Sequence, residues 1–185
     1  VKEKEATGNQ AEDLYQELVR RNEALYTSRK TGVEDPFLYA QETLDLSNYG
    51  IRDGIIGFLK IDKMGIELPV YLGATEEHLA LGAAQLTATS YPVGGVNTNS
   101  VLAAHRGYSK TAMFRDIEQL EVGDEVVIEN FREVLRYKVF EIAIVNPTET
   151  DKLLIRPGED MITLLTCHPY GSNEKRYLVY CRREI

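Results

Sequence analysis

Cysteine is scarce in this 185-residue sequence: Cys167 and Cys181 are the only two. That is too few for a disulfide framework, and the spacing is not that of a zinc site. The two are left as one bridge or as free thiols. Long apolar runs are missing as well. None approaches the roughly 18–20 residues that cross a bilayer, and no charged-then-apolar leader is present. The sequence starts at Val1 rather than Met, which fits a processed or trimmed chain, with signal or membrane segments beyond its ends. A basic stripe is also lacking. The net charge is −8 with both signs intermixed, so nothing gathers to neutralise phosphates and nucleic acid is excluded as a partner. There is no internal repeat or low-complexity tract. The acidic residues form no recognisable calcium loop, so no metal is expected, and no cofactor.

What is present reads as one domain of ordinary size with an appended arm. With 43% apolar residues, it can bury a real core. From Ala11 to Tyr26 the apolar residues Ala11, Leu14, Tyr15, Leu18, Val19, Leu25 and Tyr26 follow the spacing of an amphipathic helix. Thr31-Gly32 is read as its stop, and Asp35-Pro36-Phe37 as an interruption. A second short helix is expected from Leu38 to Asn48. Beyond Gly50 the texture changes to strands at Ile55–Ile61, Ile66–Leu72, Val101–Ala104, Val126–Glu129, Val134–Val145, Met161–Cys167 and Tyr177–Cys181. A helical candidate at Glu76–Ala84 and a glycine-rich loop at Tyr91–Ser100 lie among them. Short strands with turns between them point to a closed barrel or a sandwich, and no strand–helix–strand rhythm of a parallel sheet is seen.

Cys167 ends a buried-looking strand that opens into a loop, where a reactive group is both held and exposed. The plainer alternative is a buried structural cysteine. Three histidines compete as its partner. His168 is adjacent, but neighbours on a strand point to opposite faces. His78 reads as a solvated residue of the helical candidate. His105 ends an apolar strand where it, too, opens into a loop. Arg176 begins the last strand and is by default a solvated rim charge. If the last two strands are antiparallel neighbours, it lies close to Cys167 and can hydrogen-bond a developing oxyanion. Cys181 is five residues further on and so faces the other side, which argues against a bridge to Cys167.

Thr163-Leu164-Leu165-Thr166-Cys167, Ala104-His105-Arg106-Gly107 and Arg176-Tyr177-Leu178-Val179 together resemble the signature of the sortases, cysteine transpeptidases of Gram-positive cell surfaces. The likeness extends to Leu68–Gly73 and Ser90–Asn99 and covers nearly the whole chain. Many relatives have glycine where this sequence has Ala104. The resemblance implies a mainly β fold, a closed eight-stranded barrel with short helices over 51–185, preceded by an N-terminal helical arm and lid over 1–50. It implies Cys167 as nucleophile, His105 as general acid and base, and Arg176 as the oxyanion or substrate stabiliser.

Asp35-Pro36-Phe37 resembles the lid of the class C, pilin-polymerising sortases, where the aspartate meets the arginine and the aromatic ring covers the cysteine. The implied partners are pilins or surface proteins bearing an LPXTG-like sorting signal, together with an acceptor pilin lysine. The implied location is the extracellular face of a Gram-positive membrane, reached through segments absent from this sequence. Three other readings compete: a housekeeping sortase that anchors proteins to a cell-wall precursor, a plain cysteine protease, and a non-catalytic β-barrel binding module.

Overall fold

A short strand leaves backbone donors and acceptors unpaired along both edges, and closing a sheet on itself removes the edges altogether. The computed structural model, which describes residues 8–28 and 32–184, takes that solution. A helix α1 (Gly8–Thr27) precedes strands β1 (Ile55–Ile61) and β2 (Ile66–Leu72), then α2 (Glu76–Leu81), β3 (Ala83–Gln85) and β4 (Thr98–Ala103). After these come β5 (Glu125–Asn130), β6 (Val134–Val145), β7 (Asp160–His168) and β8 (Lys175–Arg183). They close in the order β1-β2-β3-β4-β7-β8-β6-β5. The fold is mainly β, an eight-stranded barrel with short helices, as expected.

Strand alternation divides the apolar residues into two clusters. One takes residues from all eight strands, among them Leu59, Val70, Leu102, Ile128, Tyr137, Leu164, Val179 and Cys181, and fills the barrel. The other lies on the outer face of β2, β3, β4, β7 and β8. It includes Ala103, Leu165 and Leu178 under Val33 of the arm, and half-buried Phe37 packs against it. Helix α1 is docked rather than dangling. Leu14 and Leu18 are fully buried in the interior cluster. Asn22 holds both backbone groups of Tyr91, accepting from its N–H at 2.7 Å and donating to its carbonyl at 3.2 Å.

Three local expectations are corrected, and a fourth lies partly outside the described residues. Residues 38–46 are not helical, and only a single 3-10 turn, Ser47–Tyr49, forms. This segment lies along the barrel instead and satisfies its polar groups there. The Thr87 N–H donates to Gln41 Oε1 at 2.9 Å, the Thr87 hydroxyl to the Glu42 carbonyl at 2.6 Å, and the Thr43 hydroxyl to the Leu72 carbonyl at 2.9 Å. The helical candidate at 76–84 stops at Leu81, because Ala83–Gln85 is recruited as β3 between β2 and β4. The sheet also contains parallel pairs after all, β2 with β3 and β4 with β7. Finally, α1 ends at Thr27, where the hydroxyl bonds the Glu23 carbonyl at 2.9 Å. Of the stop signal read at Thr31-Gly32, Thr31 lies outside the described residues.

Gly73 is where the arm crosses the barrel. Its φ is +89°, and a β-carbon there would run into the Glu42 carbonyl oxygen and come within 2.9 Å of the Thr43 α-carbon. Gly73→Ala therefore combines a left-handed backbone with a clash against main chain. We expect a loss of about 2–4 kcal/mol, seen as a fall of roughly 5–15 °C in the melting temperature. An unchanged melt would contradict this docking of the arm.

Candidate active site

Three strand ends meet at one rim of the barrel. β7 and β8 are antiparallel and pair Cys167 directly with Arg176, so both side chains stand on the same face. The parallel pair β4–β7 matches Ala103 with Leu165. Two residues further along each chain stand His105 and Cys167. The Thr166 hydroxyl, donating to the Ala104 carbonyl at 2.7 Å, holds the two strand ends level. Cys167, Arg176 and His105 thus gather on the outer face, beside the cluster that the arm covers.

The arm closes over them. Arg176, only 1% exposed, donates from Nε to Asp35 Oδ1 at 2.6 Å and from Nη2 to Oδ2 at 3.0 Å. Its Nη1 serves the carbonyls of Asn173 and Lys175 at 2.8 and 2.9 Å. A guanidinium has five N–H bonds, so the closed arm leaves it almost no capacity for a ligand. Pro36 is buried behind the aspartate. Phe37 is fixed by its own N–H to Asp35 Oδ2 at 3.1 Å. Its ring lies 5.5 Å from the His105 ring and 5.2 Å from the Arg176 guanidinium. On another side His105 stacks on Tyr108, with centroids 4.8 Å apart and planes inclined by 17°.

Under this cover, burial disfavours the charged form of both Cys167 and His105. Burial pushes the Cys167 thiol above its ordinary value; Arg176 opposes this, the Asp35 carboxylate adds to it, and Arg106 opposes it. Burial pushes the His105 imidazole below its ordinary value.

The other candidates fall elsewhere. Cys181 is a free thiol wholly buried in the barrel, where desolvation raises its pKa strongly. His78 is not simply solvated: it is half-buried, bonds the Gly73 carbonyl at 2.7 Å and stacks on Tyr71. His168 turns to Glu118, 3.1 Å away. Among the described residues no group of His, Cys, Asp and Glu side chains is arranged to hold a metal. The sequence reading gave no role to Arg106, Tyr108 or Glu118. Only the adjacency of Arg106 and Tyr108 to His105 could have flagged the first two.

Comparison with known proteins gives a consistent picture. The family model for the sortase domain matches residues 59–184. Sortase A of Bacillus anthracis is 30% identical over 175 residues, which is 93% of this chain and 81% of that protein. Among solved structures, Sortase C1 of pilus island 1 of group B Streptococcus is similar with a TM-score of 0.86 and 31% identity. The match covers 96% of this chain and 84% of that one. Sortase C of Streptococcus pneumoniae, whose structure was described in connection with pilin substrate specificity, gives 0.84 at 32% identity, covering 96% and 90%.

Proposed function

This chain belongs to the sortase family, and we propose that it is a class C transpeptidase that polymerises pilins. The observation that carries the reading is the closed arm, in which Asp35 grips Arg176 and Phe37 packs on His105. Its structural neighbours are class C pilin sortases, which supports the same choice. In this reading the arm (1–50) carries a lid, and the barrel (51–185) carries the chemistry.

With the lid displaced, the Cys167 thiolate attacks the threonine carbonyl carbon of an LPXTG-like signal. Arg176 donates to the oxyanion from the Nε and Nη2 that Asp35 has released. The carbon–nitrogen bond to glycine then breaks, and the amine leaves with a proton from the His105 imidazolium. A thioester remains. A lysine amine of another pilin attacks it, the carbon–sulfur bond breaks, and His105 takes up the amine's proton as an isopeptide bond forms. A cleft of about 370 Å3, lined by Leu25, Leu153, Leu154, Ile155 and Val33 of the arm, would suit the apolar part of the signal. Family membership supports a location at the Gram-positive cell surface. No described helix is long and apolar enough to cross a membrane.

Opening the lid moves both proton equilibria in the useful direction. Removal of the cover and of the Asp35 charge lowers the thiol pKa, and rehydration raises that of the imidazole, so the thiolate–imidazolium pair gains population.

The test is incubation of the protein with a pilin that carries the signal. Covalent ladders that vanish with Cys167→Ala are expected. The likeness to a protein named Sortase A over 93% of this chain supports a second reading, attachment to a cell-wall precursor. Transfer to a precursor amine without ladders would decide for it.

A further inference from the structure

A second arginine reaches the strand end that carries Cys167. The Arg106 side chain is only 7% exposed. Its Nη1 donates to the Cys167 carbonyl at 3.2 Å and its Nε to the Arg115 carbonyl at 2.8 Å, while Nη2 lies 3.4 Å from Glu118 Oε1. Glu118 also meets His168 Nδ1 at 3.1 Å. Arg106 Nη1 also lies 3.5 Å from His168 Nδ1, at the long limit of a hydrogen bond. One planar fork therefore joins three pieces of chain: the end of β7, the loop after β4 that begins at His105, and the 3-10 turn Ile117–Gln119.

Each acceptor faces a different nitrogen of the fork, a geometry that a lysine ammonium on a flexible stem does not reproduce. Arg106 also differs from Arg176 in its dependence on the lid. Asp35 takes and releases Arg176, whereas every partner of Arg106 lies on the barrel. None of these contacts involves the arm, so lifting the arm would leave them in place, and Arg106 is one of the two cations that pull the Cys167 thiol down.

We propose that Arg106 is a positioning residue for the reaction of Cys167, clamping the carbonyl of Cys167 to the loop that carries His105 and so fixing sulfur against imidazole. This rests on the sortase reading for what the two groups do, but the clamp can be tested without it.

The experiment uses the full chain with Asp35→Ala and Phe37→Ala, so that the lid does not intervene. Arg106→Gln and Arg106→Lys are added in turn. Three quantities are read: the pH profile of Cys167 alkylation by iodoacetamide, kcat and KM with a sorting peptide and an amine acceptor, and the thermal melt. For Arg106→Gln the alkylation midpoint is expected to rise by about one pH unit. Its kcat is expected to fall about 10- to 100-fold, because displacement of reacting groups by an ångström has that effect, with KM within about twofold. Arg106→Lys should restore the alkylation midpoint, since the charge returns, yet recover less than about a tenth of kcat, since the fork does not.

A folded Arg106→Gln protein with unchanged midpoint and kcat would overturn the proposal. So would Arg106→Lys with full kcat, and that variant decides alone if the glutamine variant does not fold. If the parent turns over no peptide, the sortase reading has failed and the thermal melt decides on the clamp: a lower melting temperature in both variants is expected, since lysine does not rebuild the fork, and a melt unchanged in both overturns it.

Discussion

An Arg176→Gln variant is expected to alkylate faster at Cys167 and yet turn over sorting peptide about 100- to 1,000-fold more slowly. The opposite signs follow from two uses of one guanidinium. In the closed form its hydrogen bonds at 2.6 and 3.0 Å anchor the Asp35 carboxylate, itself only 2% exposed. Removing the cation leaves that carboxylate buried without a partner, which costs about 3–5 kcal/mol, and the arm lifts. The thiol is then open to reagent; loss of the cation moves its midpoint to more alkaline pH, so labelling is compared at the plateau above that midpoint, where it should rise about 10- to 100-fold as the open population grows. Under the proposed mechanism, chemistry suffers for the other reason: the donors that would serve the developing oxyanion are gone. An arginine that served structure alone would not separate the two readouts. Labelling and turnover falling together would contradict the double role.

Asp35→Ala with Phe37→Ala is the complementary change and should raise both readouts. Two charge-assisted hydrogen bonds, worth about 1.5–3 kcal/mol each, are lost from the closed form only. Labelling of Cys167 by a bulky thiol reagent should rise about 10- to 100-fold, and peptide turnover should rise with it because Arg176 survives. The pH dependence carries its own sign. With the arm closed, burial raises the thiol pKa and the Asp35 carboxylate adds to that rise, so labelling gains only at more alkaline pH. With the arm open, the midpoint should fall. The same raised pKa means that the closed protein loses stability as pH climbs past the ordinary thiol value of about 8.5, and the double variant should lose less. Unchanged labelling would remove the gating idea and leave Cys167, His105 and Arg176 where they are.

Some of this was legible in the sequence because it depended on local pattern. Cys167 and Arg176 flank one short connection, so antiparallel pairing of the last two strands was enough to set them opposite each other. Parity then placed Cys181 on the other face, inside the barrel. His105 needed more. Its place beside Cys167 depends on the parallel register of β4 and β7, strands separated by more than fifty residues, and no local signal encodes that. The same holds for Asp35, 141 positions from Arg176, which only the resemblance to sortases singled out.

The misread segments fail for a related reason. Residues 38–46 have helical texture, yet their polar groups are taken by Leu72 and Thr87 of the barrel. Ala83-Ala84-Gln85 carries no strand preference and becomes β3 because two neighbouring strands leave a gap of that length. In both places tertiary partners outweigh local propensity. Arg106 was silent because two of its three acceptors are main-chain carbonyls, which any residue supplies.

On the proposed mechanism Cys167 is acylated by a sorting signal and then hands the acyl group to an amine. Mass spectrometry of the protein mixed with an LPXTG peptide tests it most directly. The acyl fragment ending in threonine is expected on Cys167, more abundantly in the Asp35→Ala, Phe37→Ala variant. Adding a lysine amine should discharge it into an amide product, and Cys167→Ala should abolish it. Product formed by the Cys167→Ala protein, or turnover without any adduct on Cys167, would rule out Cys167 as the nucleophile.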